Sequence, residues 1–160
     1  MKILLIEDDE EKMEKLLHFI SSQYPSAFVE VARSFNAGLR AIIKSSALNV
    51  ILLDMSMPNY NATEEDPSGG APEHFAGRDI LSQMKLRQIS IPTIVVTMFD
   101  LFGESPDRMS FAQLEGQLKA MYAPTFLGMV YYNSGQEGWK NALSNLINKL
   151  NYTNDENIIS

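Results

Sequence analysis

The chain reads as an α/β protein, a doubly wound parallel sheet of the (βα)5 type, and three observations predict it. Short apolar runs at Lys2–Ile6, Phe28–Ala32, Val50–Leu53, Pro92–Thr97 and Gly128–Tyr132 alternate with segments of helical period. The run Val50, Ile51, Leu52 and Leu53 is apolar on both faces, as a central parallel strand covered by helices must be. That run ends in Asp54 and the first ends in Glu7, Asp8 and Asp9, which puts acids at the rim where open α/β sheets hold their ligands.

Each element carries its own signal. After the first strand, Met13, Leu16, Leu17 and Ile20 form one apolar stripe on a helix that ends near Ser21 and Ser22, before Pro25. Phe28–Ala32 alternates only in part and reads as a strand nearer the sheet edge. Ser34 suits an N-cap for a helix carrying Phe35, Leu39, Ile42 and Ile43. The central strand follows, with a chain reversal at Pro58. Residues 59–76, rich in Gly, Pro and acid, read as a long flexible loop. Gly77 then opens a helix with Ile80, Leu81 and Met84. A second long connection, 98–127, contains a helix of its own: Ser110 and Gln113 have capping-box spacing, and Phe111, Leu114, Leu118 and Met121 share a face. Trp139, Leu143, Leu146, Ile147 and Leu150 mark the last helix. The domain spans 1–150, and the polar tail 151–160 is expected to fray.

Composition narrows the function. At 160 residues, 45% apolar and 21% charged, the chain has the size and makeup of one globular domain. Its net charge of −7 argues against a phosphate-backbone partner, so no nucleic acid is expected. With no cysteine there is neither a disulfide framework nor a thiolate site. The N-terminus lacks a long apolar core and a cleavage site, and no stretch is long enough to span a bilayer, so a cytoplasmic protein without membrane contact is the default. No Gly-rich phosphate loop follows the first strand, which disfavours a nucleotide-binding enzyme.

The acids point to metal chemistry. Neighbouring strands that bring Asp8, Asp9 and Asp54 together gather like charges that stay ionised only beside a cation. The alternative is that each acid caps the helix after its strand.

The motifs Glu7-Asp8-Asp9, Asp54-Met55-Ser56-Met57-Pro58, Gly77 at the third helix and Val95-Val96-Thr97, in this order over nearly the whole chain, resemble the receiver domain of two-component response regulators. The resemblance implies a flavodoxin-like strand order 2-1-3-4-5 with the site at the switch point. It implies that Asp54 is the phosphoacceptor, taking a phosphoryl group from a histidine kinase or phosphotransfer protein. It places Mg²⁺ between Asp9, Asp54 and the backbone carbonyl of Ser56, with Asp8 holding a metal-bound water. Thr97 would donate its hydroxyl to the phosphoryl group and report the charge change to the surface. The domain would take part only in its own phosphoryl transfer and dephosphorylation. No output domain is expected after residue 150, so the signal would pass to a partner protein, or to another domain if the chain is a piece of a longer one. A pseudo-receiver that binds a partner without phosphate is the alternative function.

Three departures from the family stand out. The lysine that usually ends the fifth strand is replaced by Asn133, or by Ser134 after a slip of one residue. Lys140 lies too far along and reads as a solvated helix residue. Met98 stands where the family favours a very small residue, and its length would narrow access to Asp54 and slow hydrolysis of an acyl phosphate. The loops after the third and fourth strands are enlarged; they offer Arg78 and Arg108 as substitute cations, although a plain surface role is the simpler reading for both, as it is for His74 and, on the first helix, His18. A family-type homodimer would use the last two helices and the fifth strand, a face that the second enlarged loop interrupts.

Overall fold

The computed structural model describes residues 1–45 and 47–159, with side chains described for 1–45 and 47–150. Its elements run β1 (Lys2–Ile6), α1 (Glu10–Gln23), β2 (Phe28–Ala32), α2 (Phe35–Lys44), β3 (Val50–Leu53), α3 (Ala76–Leu86), β4 (Thr93–Thr97), β5 (Leu101–Phe102), β6 (Met109–Ser110), α4 (Phe111–Tyr122), β7 (Phe126–Tyr131) and α5 (Gly138–Ile159). The main sheet has five strands in the order β2-β1-β3-β4-β7, all paired in parallel. Counting only the parallel strands, this is the expected order 2-1-3-4-5, and the fold is flavodoxin-like.

The strand residues sort by alternation into two cores. Leu4, Ile6, Ile51, Leu53 and Val95 face Ile42 of α2, Ile80 and Met84 of α3, and Leu114 and Leu118 of α4. Ile3, Leu5, Val50, Leu52, Ile94, Val96 and Val130 face Leu16 and Phe19 of α1 and Trp139, Leu143 and Ile147 of α5. A sheet covered on both faces explains why β3 and the centre of β4, Ile94–Val96, are apolar, and why both strands are fully buried. β2 lies at the edge, and its Phe28 is exposed.

Caps follow the sequence where side chains can reach. Ser34 accepts from the Ala37 N–H at 3.2 Å and starts α2. Ser110 and Gln113 form the expected capping box on α4. Ser110→Ala removes half of that box and is expected to cost about 1 kcal/mol, read as a lowered thermal midpoint with unchanged helix content below it.

The structure departs from the sequence reading in four places. The fifth parallel strand is Phe126–Tyr131, two residues earlier at its start, so Tyr132 lies just beyond it. Met121, expected on the apolar face of α4, is exposed, and Tyr122 takes the buried place. The 98–127 connection carries a two-stranded antiparallel ribbon, Leu101 opposite Ser110 and Phe102 opposite Met109, for which two-residue strands leave no periodic signal. The 59–76 loop doubles back, joined by the Met57–Glu73 bridge and the Tyr60 N–H to Gly69 carbonyl bond. Within the expected tail, α5 continues in backbone through Ile159, while the side chains of 151–160 lie outside the described residues. Among the described residues no helix is long and apolar enough to cross a membrane.

Candidate functional site

The carboxyl ends of β1 and β3 lie side by side, because Ile6 pairs with Leu53 and the Asp54 N–H donates to the Ile6 carbonyl at 3.0 Å. Here the strand order reverses direction, and the acids meet. Glu7, Asp8 and Asp54 each bring a carboxylate oxygen within 4.8 Å of the others. Glu7 and Asp54 are buried, whereas Asp8 is exposed at the rim.

The trio differs from the expected one. Asp9 is the N-cap of α1, its Oδ1 accepting from the Lys12 N–H at 2.8 Å, so the helix start draws its side chain to the backbone. Glu7 stands in its place, and its Oε1 also accepts from the N–H groups of Asp8 and Asp9 at 3.1 and 3.0 Å. Alternation accounts for the substitution. Glu7 follows Ile3 and Leu5 onto the α1 side of the sheet, and Asp54 follows Val50 and Leu52 onto the same side.

A cation that the sequence reading did not single out meets them there. Lys12, in the first turn of α1, is 1% exposed. Its Nζ lies 2.5 Å from Glu7 Oε2 and 3.4 Å from Asp54 Oδ1, and it donates to the Val96 carbonyl at 2.5 Å. Three contacts match the three hydrogens of an ammonium group. Burial pulls the Lys12 ammonium toward losing its proton, but Asp54 and Glu7 outweigh this and hold it above its ordinary value. Glu7 is pushed up to about 7, first by burial and then by Asp54, against the pull of Lys12. Burial raises Asp54 as well, opposed by Lys12, by a hydrogen bond from Glu7 and by the Met55 N–H, which donates to Asp54 Oδ1 at 2.8 Å. Asp8 is raised by burial and then by Glu7.

The other expected residues sit as follows. Thr97 ends β4, fully buried, and its hydroxyl oxygen accepts from the Phe99 N–H at 3.2 Å. Ser56 is half-buried in the bend between Asp54 and Met57. Met98 packs against the α1–α5 core. Asn133 is engaged within its own loop: its side chain accepts from the Gly135 N–H at 2.9 Å on the way into α5. The buried residue just beyond β7 is Tyr132, its ring tilted 51° against Trp139 with ring centres 5.1 Å apart, and its hydroxyl has no hydrogen-bond partner. Arg78 lies over the Phe75 ring and donates to Gln117 at 2.9 Å, tying α3 to α4. Lys140 pairs with Glu137, and Arg108, His18 and His74 are exposed.

An all-oxygen donor set with one rim residue open to water fits a hard divalent cation. Three carboxylates against one ammonium also leave negative charge in excess, which a divalent cation would offset.

Acids gathered at the switch point of a flavodoxin-like sheet define a class, and solved structures share the fold. A CheY-like receiver domain from Methanospirillum hungatei aligns over 97% of both chains with a TM-score of 0.61 at 20% identity. A receiver domain of a LuxO-type repressor from Vibrio parahaemolyticus gives 0.65 at 15% identity, covering 99% of this chain and 96% of that one. No family model matches the chain. Among curated proteins, the Detocs response regulatory protein DtcB of Enterobacter cloacae is 33% identical over 150 residues, covering 94% of this chain and all of that one. An uncharacterized protein of Sinorhizobium fredii, y4jR, is also 33% identical, over 91% of this chain and 95% of its own. The chain belongs to the response-regulator receiver family.

Proposed function

We propose that the protein is a phosphoacceptor receiver in a two-component phosphorelay, phosphorylated on Asp54. One observation carries this reading: in a chain of the receiver family, the buried Asp54 meets Glu7 and Asp8 at the switch point of the sheet. In the reaction an Asp54 carboxylate oxygen forms a bond to phosphorus. The bond from phosphorus to the donor's histidine nitrogen breaks, and the electron pair leaves with the imidazole. Glu7, Asp8 and Asp54 are the residues that would hold Mg²⁺, which supplies charge neutralisation and orientation when bound. The Met55 N–H, on Asp54 Oδ1, keeps the nucleophile in a fixed rotamer. Thr97, at the end of the neighbouring strand, would answer the new charge with its hydroxyl. A histidine kinase or phosphotransfer protein is the donor, a downstream protein reads the change, and the domain acts on no separate substrate.

The test is intact mass after incubation with acetyl phosphate and Mg²⁺. The wild-type protein is expected to gain one phosphoryl group and Asp54→Asn none; the same mass gain in both, or none in either, would overturn the reading.

A phosphate-independent binding module is the second reading. What favours it is that Asp54 is 3% exposed and already lies beside Lys12. No phosphoryl gain with any donor, together with unchanged melting in Mg²⁺, is the result it expects.

A further inference from the structure

We propose that Lys12, from the first turn of α1, is the cation that meets the phosphoryl group on Asp54 and carries the resulting movement into α1. The inference rests on Asp54 being the phosphoacceptor. Among the cations of the described residues, Lys12 is the one that the structure seats in the acid pocket. The residues that end the fifth parallel strand supply no charge, since Tyr132 is a buried phenol and Asn133 faces its own loop. Arg78 is committed to Phe75 and Gln117.

The geometry gives Lys12 three partners of unequal hold. It is held tightly by Glu7 and the Val96 carbonyl at 2.5 Å, and more loosely by Asp54 at 3.4 Å. When acetyl phosphate reacts, the Asp54 oxygen bonds to phosphorus and acetate leaves with the electron pair. The pocket then carries close to two further negative charges on the Asp54 side. Charge-assisted hydrogen bonds to phosphoryl oxygens draw the ammonium that way, at the expense of Glu7 and Val96. Lys12 belongs to α1, and its own N–H is fixed to the Asp9 cap, so a shift of its side chain pulls on the helix start. Because Lys12 is a positive charge beside the three carboxylates, it also opposes a divalent cation there.

These two effects have opposite signs, which separates this role from a merely structural one. Rates of phosphoryl gain from acetyl phosphate at saturating Mg²⁺, and the Mg²⁺ midpoint from thermal melting without phosphodonor, are measured for wild type, Lys12→Met, Lys12→Arg and the surface control Lys140→Met. Lys12→Met is expected to slow phosphoryl gain by about tenfold or more and to tighten Mg²⁺ by about tenfold. Lys12→Arg keeps the charge and restores part of the rate, and Lys140→Met matches wild type. If Lys12→Met does not fold by circular dichroism, Lys12→Gln is read in its place. A wild-type rate in the neutral variant, or a loss in rate together with weaker Mg²⁺ binding, overturns the proposal while Asp54 remains the acceptor. Absence of phosphoryl gain in the wild type removes the Asp54 reading itself, and this proposal with it.

Discussion

Alanine at Gly77 is expected to lower the thermal midpoint by roughly 5 °C, equivalent to about 2 kcal/mol for a domain of this size. Gly77 is the second residue of α3, and its N–H donates to the Met55 carbonyl at 2.9 Å. A Cβ built there falls 2.6 Å from the Asp54 carbonyl oxygen and 3.0 Å from the Met55 Cα. Both are backbone atoms of the segment that delivers the acceptor, so they cannot turn aside as a side chain would. Alanine gains about 1 kcal/mol over glycine in helix propensity. Overpacking against backbone costs up to about 3 kcal/mol, so the clash wins. The same displacement moves Asp54 relative to Glu7 and Lys12, and phosphoryl gain is expected to slow in parallel. A midpoint equal to or above wild type would contradict the packing account.

Stability should also fall as pH rises through the window set by Glu7. Its carboxyl titrates near 4.5 when free and at about 7 in the fold. Between those values the folded protein holds a proton that the unfolded chain has released. Stability is therefore fullest below about pH 4.5 and declines until pH passes about 7. The total loss is roughly 3 kcal/mol, a figure that Lys12, Asp54 and Asp8 share because they face the same carboxyl. Denaturation curves from pH 5 to 8 in chelator, for wild type and Glu7→Gln, isolate the effect. The wild-type advantage should shrink by about that amount across the range. Mg²⁺ should flatten the slope, since a cation that binds the ionised carboxyls stabilises the folded state. Parallel curves for the two proteins would contradict this account of Glu7.

Most of the architecture was legible in the sequence, because a sheet buried on both faces writes its strands as unbroken apolar runs. Val50–Leu53 and the Ile94–Val96 centre of β4 show this most plainly. Asp54 and Asp8 were legible for the same reason: an acid that ends such a run sits at the rim. Which member of the acidic triplet turns inward was harder to read. Asp9 is the natural reading from family motifs, but the first turn of α1 needs a cap, and alternation from Ile3 and Leu5 points Glu7 into the pocket.

Lys12 was missed because lysine usually belongs to the surface. Its signal was nevertheless present: residues 12, 16 and 20 share one stripe, and Lys12 lies on the buried face of α1 beside Leu16 and Ile20. A lysine on an apolar stripe just after an acidic run is a buried counter-ion in waiting. The ribbon of Leu101–Phe102 and Met109–Ser110 left no trace, since two residues cannot display a period.

The most direct measurement is chemical mapping of the phosphorylated residue. Protein incubated with acetyl phosphate and Mg²⁺ is treated with hydroxylamine, which attacks an acyl phosphate and leaves a hydroxamate in its place. Peptide mass spectrometry then locates the mark. A hydroxamate at Asp54, absent when Mg²⁺ is replaced by chelator, is the predicted result. A mark on Glu7, Asp8 or Asp9, or no mark on any carboxyl, would contradict the claim that Asp54 is the acceptor.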